Sequence, residues 1–336
     1  MKQQKKAVAL VGCGTVSVNH LSALQAMEEL CVVALCDTRI ERAEAARDTY
    51  FPAAEVFTDY EAMLAAHDLY AVHICTPHYL HAPMTLAALA RGIHVFLEKP
   101  MAITPEDLDA LIAAEEQSTG RVCVCFQNRF SPTYRRVREL CDADGGVLTA
   151  AATVIWQRTK EYYTESGWRG QRATEGGGVM VNQAIHTVDL LCRFLGKPVG
   201  VCATCANHHL KGVNDVEDSS EGVIYFEGGR QACFYATTAA VAPHDFTNIV
   251  LTTKHHTVEM RMPYIIVDHE TVEKAEDTSR FVGKACYGSG HAWLIPRFYE
   301  ALEGGEPMPV TLRSARAAHD IFMAVHRSND TYIPLA

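Results

Sequence analysis

A doubly wound α/β domain with a parallel sheet, followed by a second α/β domain on an open, mostly antiparallel sheet, is predicted by three observations. Short apolar runs alternate with helical stretches over residues 1–128; a glycine turn follows the first run directly; and over residues 129–336 the runs lengthen and alternate in polarity. The 336 residues exceed what one hydrophobic core usually organises, so two domains are expected.

Residues 7–11, 31–36, 69–75, 94–97 and 122–126 are apolar without clean alternation, as strands buried on both faces must be. Between them, residues 19–30, 39–50, 60–66, 80–91 and 105–117 carry the helical period, the last with Thr104 placed as a cap and Pro105 in the first turn. Longer alternating runs then occupy 148–156, 199–206, 221–226, 231–237, 248–253 and 257–261, with one helix expected over 181–195. Final helices over 291–303 and 314–326 either pack on this second sheet or return to the first domain.

A net charge of −10 with no basic run argues against nucleic acid and against anionic membrane, since both need a positive field. The start is charged, and only five apolar residues precede Gly12, too few for a signal-peptide core or a membrane span. Cys13, Cys31, Cys36, Cys75, Cys123 and Cys125 fall in or beside core strands, where cysteine acts as a small hydrophobe. A reducing cytoplasm is therefore expected.

The glycine turn reads Gly12-Cys13-Gly14-Thr15-Val16-Ser17 and opens a helix. Glycines there let the backbone approach a pyrophosphate, and the helix amino terminus, with Thr15 and Val16, offers oriented N–H groups and partial positive charge. Asp37 ends the second strand, where a carboxylate can accept from the ribose hydroxyls of NAD. Arg39, two residues on, could hold a 2′-phosphate, so NADP stays open, as does a plain helix-capping role for Asp37. Thr76 and Pro77 follow the strand at 69–75 and border the same crevice, while His81, at a helix start, is expected to be a neutral hydrogen-bonding residue. Glu98-Lys99-Pro100 closes the strand at 94–97 and aims an ammonium into that crevice; Glu98 and Gln127 complete the cofactor set. Such an ammonium can stabilise a developing alkoxide or take its proton.

Asn182, His186 and Asp189 are spaced i, i+4, i+7, so a continuous helix would bring them to one face, with Gly176-Gly177-Gly178 allowing close backbone approach. His186 is the candidate base, because imidazole titrates near neutrality; Asn182 and Asp189 would orient it or a substrate.

Gly12-x-Gly14, Thr76-Pro77 to His81, Glu98-Lys99-Pro100 and Asn182-x-x-x-His186-x-x-Asp189 together resemble the glucose-fructose oxidoreductase, inositol dehydrogenase and rhizopine catabolism (Gfo/Idh/MocA) family. The resemblance implies an N-terminal Rossmann domain, a C-terminal domain whose exposed sheet face forms a homodimer or homotetramer, and a lysine, here Lys99, near the nicotinamide and the substrate hydroxyl. It also implies a fixing proline after that lysine, often through a cis peptide, and a further cofactor contact in the Trp168-Arg169 region. Many relatives carry aspartate where this chain has Asn182, which weakens any proton relay through that position and steers away from inositol.

The segment 156–163 and Trp168-Arg169-Gly170 mix aromatic rings with guanidinium and amide groups, a combination that suits a sugar. Lys160, Tyr163, Trp168, Arg169 and, in a second cluster over 287–291, His291 are the substrate candidates beside Asn182 and His186. No metal is expected: Cys202 and Cys205 point to opposite faces of a strand, and His255 and His256 likewise diverge. No serine elbow is present either. The reading is an NAD(P)-dependent oxidoreductase that takes hydride from a secondary hydroxyl, C3 being favoured, of a sugar, glycoside or polyol. Its alternatives are a redox-neutral NAD-dependent glycosidase and a non-catalytic cofactor-sensing regulator.

Overall fold

A computed structural model describes residues 5–241, 245–278, 281–283 and 288–335. By contact density the chain divides into two units: residues 1–102, 106–127 and 281–314 form the first, and residues 103–105, 128–280 and 315–336 the second. Residues 281–314 thus return to the first unit after the second has been built.

In the first unit β1 (Lys6–Val11), β2 (Leu30–Cys36), β3 (Glu55–Phe57), β4 (Ala71–Ile74), β5 (His94–Leu97) and β6 (Val122–Val124) make a parallel sheet in the order β3-β2-β1-β4-β5-β6. Helices α1 (Ser17–Gln25), α2 (Ile40–Tyr50), α3 (Tyr60–Ala66), α4 (His78–Leu89) and α5 (Pro105–Gln117) connect the strands. Val8 to Leu10, Ala71, Val72, Ile74 and Val95 to Leu97 are fully enclosed, which explains why these strands show no polar alternation. The short β3, which carries no periodicity of its own, is an addition to the five strands expected. The strand order reverses direction between β1 and β4, so a crevice opens beyond their carboxyl ends.

The second unit holds a nine-stranded sheet in the order β14-β13-β12-β11-β7-β10-β9-β8-β15, with β7 (Thr149–Ile155), β8 (Pro198–Ala206), β9 (Ser219–Phe226), β10 (Gln231–Thr237), β11 (Phe246–Thr252), β12 (Thr257–Arg261), β13 (Tyr264–Val267), β14 (Glu270–Lys274) and β15 (Ile333–Pro334). All its pairs are antiparallel except β10 with β7. Alternating burial along β7 and β10 puts one face toward the helices and leaves the other open. Helices α6 (Pro132–Ala143), α7 (Lys160–Thr164), α8 (Arg172–Glu175), α9 (Val179–Asn182) and α10 (Ile185–Leu195) precede β8; α11 (Gly290–Gly304) belongs to the first unit, and α12 (Leu312–Ser328) lies mainly in the second.

The single helix expected over 181–195 is instead two. Ala184 N bonds back to Val179 O, five residues earlier, at 2.8 Å, a π-type step that shifts the register between α9 and α10. Among the described residues no helix is long and apolar enough to cross a membrane.

Candidate active site

The first unit's candidate residues gather at the switch point of its sheet. Gly12 adopts φ +89°, and a Cβ there would sit 2.5 Å from Cys75 O, so glycine alone allows β1 and the β4 end to approach this closely. A Cβ on Gly14 would meet nothing within 4 Å, which leaves an open cradle in front of the α1 amino terminus. Thr15 and Val16 lie in this turn, Val16 at the helix N-cap position, and the Ser17 hydroxyl donates to Gly14 O at 2.7 Å. The turn therefore fits a bound pyrophosphate.

Asp37 accepts from Cys13 N and from Arg39 N, each at 2.9 Å, so its carboxylate braces the glycine turn and does not cap α2. The exposed Arg39 guanidinium is paired with Glu41 at 2.8 Å. Thr76 and Pro77 directly follow β4's end. His81 is buried between the two crevice loops, with ring nitrogens 2.6 Å from Pro100 O and 2.9 Å from Thr76 O; burial holds its pKa down, and the neutral ring donates to one of these carbonyls. Lys99 is half-buried behind β5, and its peptide bond to Pro100 is cis. Gln127, also buried, stands within reach of the Cys125 thiol and is covered by Gly290.

Glu98 is enclosed among residues that no motif or spacing groups with it. Its Oε1 accepts from His20 Nε2 at 3.0 Å and from His291 Nε2 at 3.2 Å, and its Oε2 accepts from Lys99 N at 3.2 Å. Burial alone would raise its carboxyl pKa, but the two imidazoles overcome this and hold it well below the usual range. His291 lies in the first turn of α11, where the helical period placed it, and is only 2% exposed, with its Nε2 on Glu98. Tyr287 of that cluster lies outside the described residues.

In the second unit, Asn182 ends α9 while His186 and Asp189, three residues apart, lie on α10, so the π-type step separates the first from the other two. Asn182 donates to Glu175 Oε1 at 2.6 Å and to Tyr162 OH at 3.3 Å. His186 is half-buried in the first turn of α10. Asp189 turns inward and is 2% exposed, gripped by Arg129, whose Nε donates at 2.8 Å and whose Nη2 adds a second bond. Its pKa is raised by burial, which Arg129 only partly offsets.

Arg169 lies over the rings of Tyr162 and Trp168, at 4.5 and 4.6 Å from their centroids. Lys160 is exposed at the start of α7, whereas Tyr163 is buried with its hydroxyl 3.5 Å from Thr238 Oγ1, a core position. Glu175, which sequence reasoning missed, accepts from Gly170 N at 2.6 Å as well as from Asn182, and burial pushes its pKa up to about 7. The glycine run approaches protein: Glu217 accepts from Gly178 N at 2.9 Å and Met180 N at 3.2 Å, and a Cβ on Gly177 would strike the His326 ring. Cys202 and Cys205 gather no metal-ligand group among the described residues, but His20, Glu98, Cys125 and His291 place four donor atoms within 4.8 Å of one another.

Two family models match: the oxidoreductase family with an NAD-binding Rossmann fold over residues 6–126, and the GFO/IDH/MocA C-terminal domain over residues 134–257. A D-glucoside 3-dehydrogenase from Escherichia coli K12 is 30% identical over 66% of this chain and 67% of its own length. An inositol 2-dehydrogenase from Rhizobium meliloti 1021 is 29% identical over 70% of each chain. The WlbA dehydrogenase from Bordetella pertussis, solved with NADH and UDP-GlcNAcA, superposes with a TM-score of 0.87 at 26% identity, covering 100% of this chain and 99% of that one. Levoglucosan dehydrogenase with NADH and levoglucosan shares the fold, with a TM-score of 0.85 at 20% identity over 99% of this chain and 100% of that one. Glycine cradle, strand order and both family models agree: the chain is a member of the Gfo/Idh/MocA family of NAD-binding oxidoreductases.

Proposed function

We propose that the chain is an NAD-dependent dehydrogenase that oxidises a secondary hydroxyl, at C3, of a pyranose sugar or glycoside. The observation that carries this is Lys99, delivered at the carboxyl end of β5 on the same crevice that the Gly12 and Gly14 cradle opens. The relatives named for glucosides, inositol and nucleotide sugars support a polyhydroxylated substrate. Gly12, Gly14, Thr15, Val16, Asp37, Thr76 and Pro77 would hold the dinucleotide, with Glu98 and Gln127 bracing the crevice floor. Asp37 carries the preference for NAD, since Arg39 is engaged by Glu41. Bound nicotinamide supplies the hydride acceptor.

In this proposal Lys99 donates a hydrogen bond to the reacting hydroxyl and steadies the developing alkoxide, and His186 accepts the hydroxyl proton. Asn182 binds a neighbouring hydroxyl, while Asp189 sets the pitch of α10, and with it His186, through Arg129. Trp168 and Arg169 offer a ring face and a guanidinium to the sugar. Free thiols at all the described cysteines fit a reducing compartment, the cytoplasm.

Sugars, alkyl and aryl glucosides, nucleotide sugars and inositols incubated with NAD or NADP test this. Reduced nicotinamide should form with glycosides and fall at least about a hundredfold in Lys99→Met and His186→Ala. Aglycone release without net reduction would replace the dehydrogenase by a redox-neutral glycosidase, and tight cofactor binding without turnover would point to a sensor.

A further inference from the structure

Behind the Lys99 strand end, a line of buried polar side chains runs through the first unit. Tyr299 OH lies 2.8 Å from His73 Nε2, His73 Nδ1 lies 2.9 Å from His20 Nδ1, and His20 Nε2 lies 3.0 Å from Glu98 Oε1. His20 and His73 are 0% exposed and Tyr299 is 1% exposed. The last link is Glu98 Oε2 to the backbone N–H of Lys99 at 3.2 Å.

We propose that Tyr299, His73 and His20 are positioning residues for Lys99, acting through Glu98 as a one-directional hydrogen-bond chain. This rests on the proposed role of Lys99 in the reaction. An ionised Glu98 can only accept, so His20 Nε2 carries a proton. A neutral His20 then accepts at Nδ1, so His73 carries its proton on Nδ1 and accepts at Nε2 from the Tyr299 hydroxyl. One arrangement therefore satisfies all three bonds with both rings neutral. Burial pushes both imidazoles below their ordinary pKa, and Glu98 is held ionised, as this arrangement needs.

The same atoms include a set that a metal ion could use, namely His20, Glu98, Cys125 and His291. The two readings differ in the proton on His20 Nε2, which the 3.0 Å bond to Glu98 Oε1 needs and metal ligation would remove.

Nitrogen-15 spectra of histidine-labelled protein, which do not depend on turnover, read the chain directly, with His20→Gln and His73→Phe supplying assignments. His20 should be the Nε2–H tautomer and His73 the Nδ1–H tautomer, both neutral from pH 6 to 8. A charged ring, or either tautomer reversed, overturns the proposal, and so does stoichiometric zinc whose removal by chelator changes both rings. In the activity arm, His20→Gln keeps an amide N–H for Glu98 and should hold kcat within about threefold, while His20→Leu should lower kcat about tenfold or more with NAD affinity unchanged. Equal kcat in His20→Leu and wild type overturns the positioning role while leaving the dehydrogenase intact. An enzyme silent on every substrate fails the dehydrogenase alone, since the spectra still decide the chain.

Discussion

Asn182 donates its side-chain amide to the Glu175 carboxylate across 2.6 Å, and Gly170 N closes on the other oxygen at the same distance. An amide at position 182 therefore sits where a second carboxylate would face a buried one. This explains why asparagine, and not the aspartate common at this position in the resembling family, suits this chain. Asn182→Asp should force the two acids to share a proton. The variant should lose stability relative to wild type as pH rises from 5 to 8, because a raised folded-state pKa favours the protonated form and its contribution disappears once that proton is lost. Urea melts at several pH values check this, and a pH-independent difference would refute it.

Glu175 itself makes a second, separable pH prediction. Its folded pKa of about 7 lies above the ordinary carboxyl value of 4.5, so its linkage contribution is full below about pH 4.5 and fades as pH climbs through 7. Glu175→Gln cannot ionise, so its stability relative to wild type should improve across that window by roughly 1–3 kcal/mol. Calorimetric Tm values at pH 5 and 8 give the comparison.

Arg129 and Asp189 form a buried pair, 7% and 3% exposed at their side chains. Removing one partner strands a buried charge, so Arg129→Met should cost about 3–5 kcal/mol. The double variant Arg129→Met/Asp189→Leu should recover most of that loss and, because Asp189 only sets the pitch of α10, keep activity within about tenfold. A double variant as stable as wild type but inactive would place Asp189 in the chemistry.

Gly14→Ala and Gly12→Ala separate cradle from scaffold. The first adds a methyl with nothing within 4 Å and should leave stability nearly unchanged while weakening NAD about tenfold or more, since only a bound phosphate would meet it. The second drives a Cβ to 2.5 Å from Cys75 O and should weaken both the fold and NAD binding. Titration calorimetry with NAD distinguishes them, and unchanged affinity in Gly14→Ala would move the dinucleotide elsewhere.

Much of the fold was legible because its signals are local. β10 and β12 match the alternating runs to the residue, and the parallel strands follow from apolar runs separated by helical periods. β3 was not, being three residues long, nor was the β13–β14 hairpin, whose second strand is exposed on both faces and shows no alternation. The glycine turn, Asp37 and Lys99 were legible in position because each follows the carboxyl end of a parallel strand. The grouping of Glu98 with His20, His73, His291 and Tyr299 was not, since its links join residues up to 226 apart with no motif. The break between α9 and α10 was not legible for a smaller reason: one backbone bond, Ala184 N to Val179 O, shifts the register in a way side-chain spacing cannot reveal.

The most direct measurement uses an alkyl glucoside deuterated at C3, incubated with NAD, followed by mass spectrometry of the nicotinamide and the sugar. Deuterium on the reduced nicotinamide in equal amount to a 3-keto glycoside, abolished by Lys99→Met and by His186→Ala, is the predicted result. Deuterium retained in the sugar, or released aglycone with no reduced nicotinamide, would contradict net oxidation at C3.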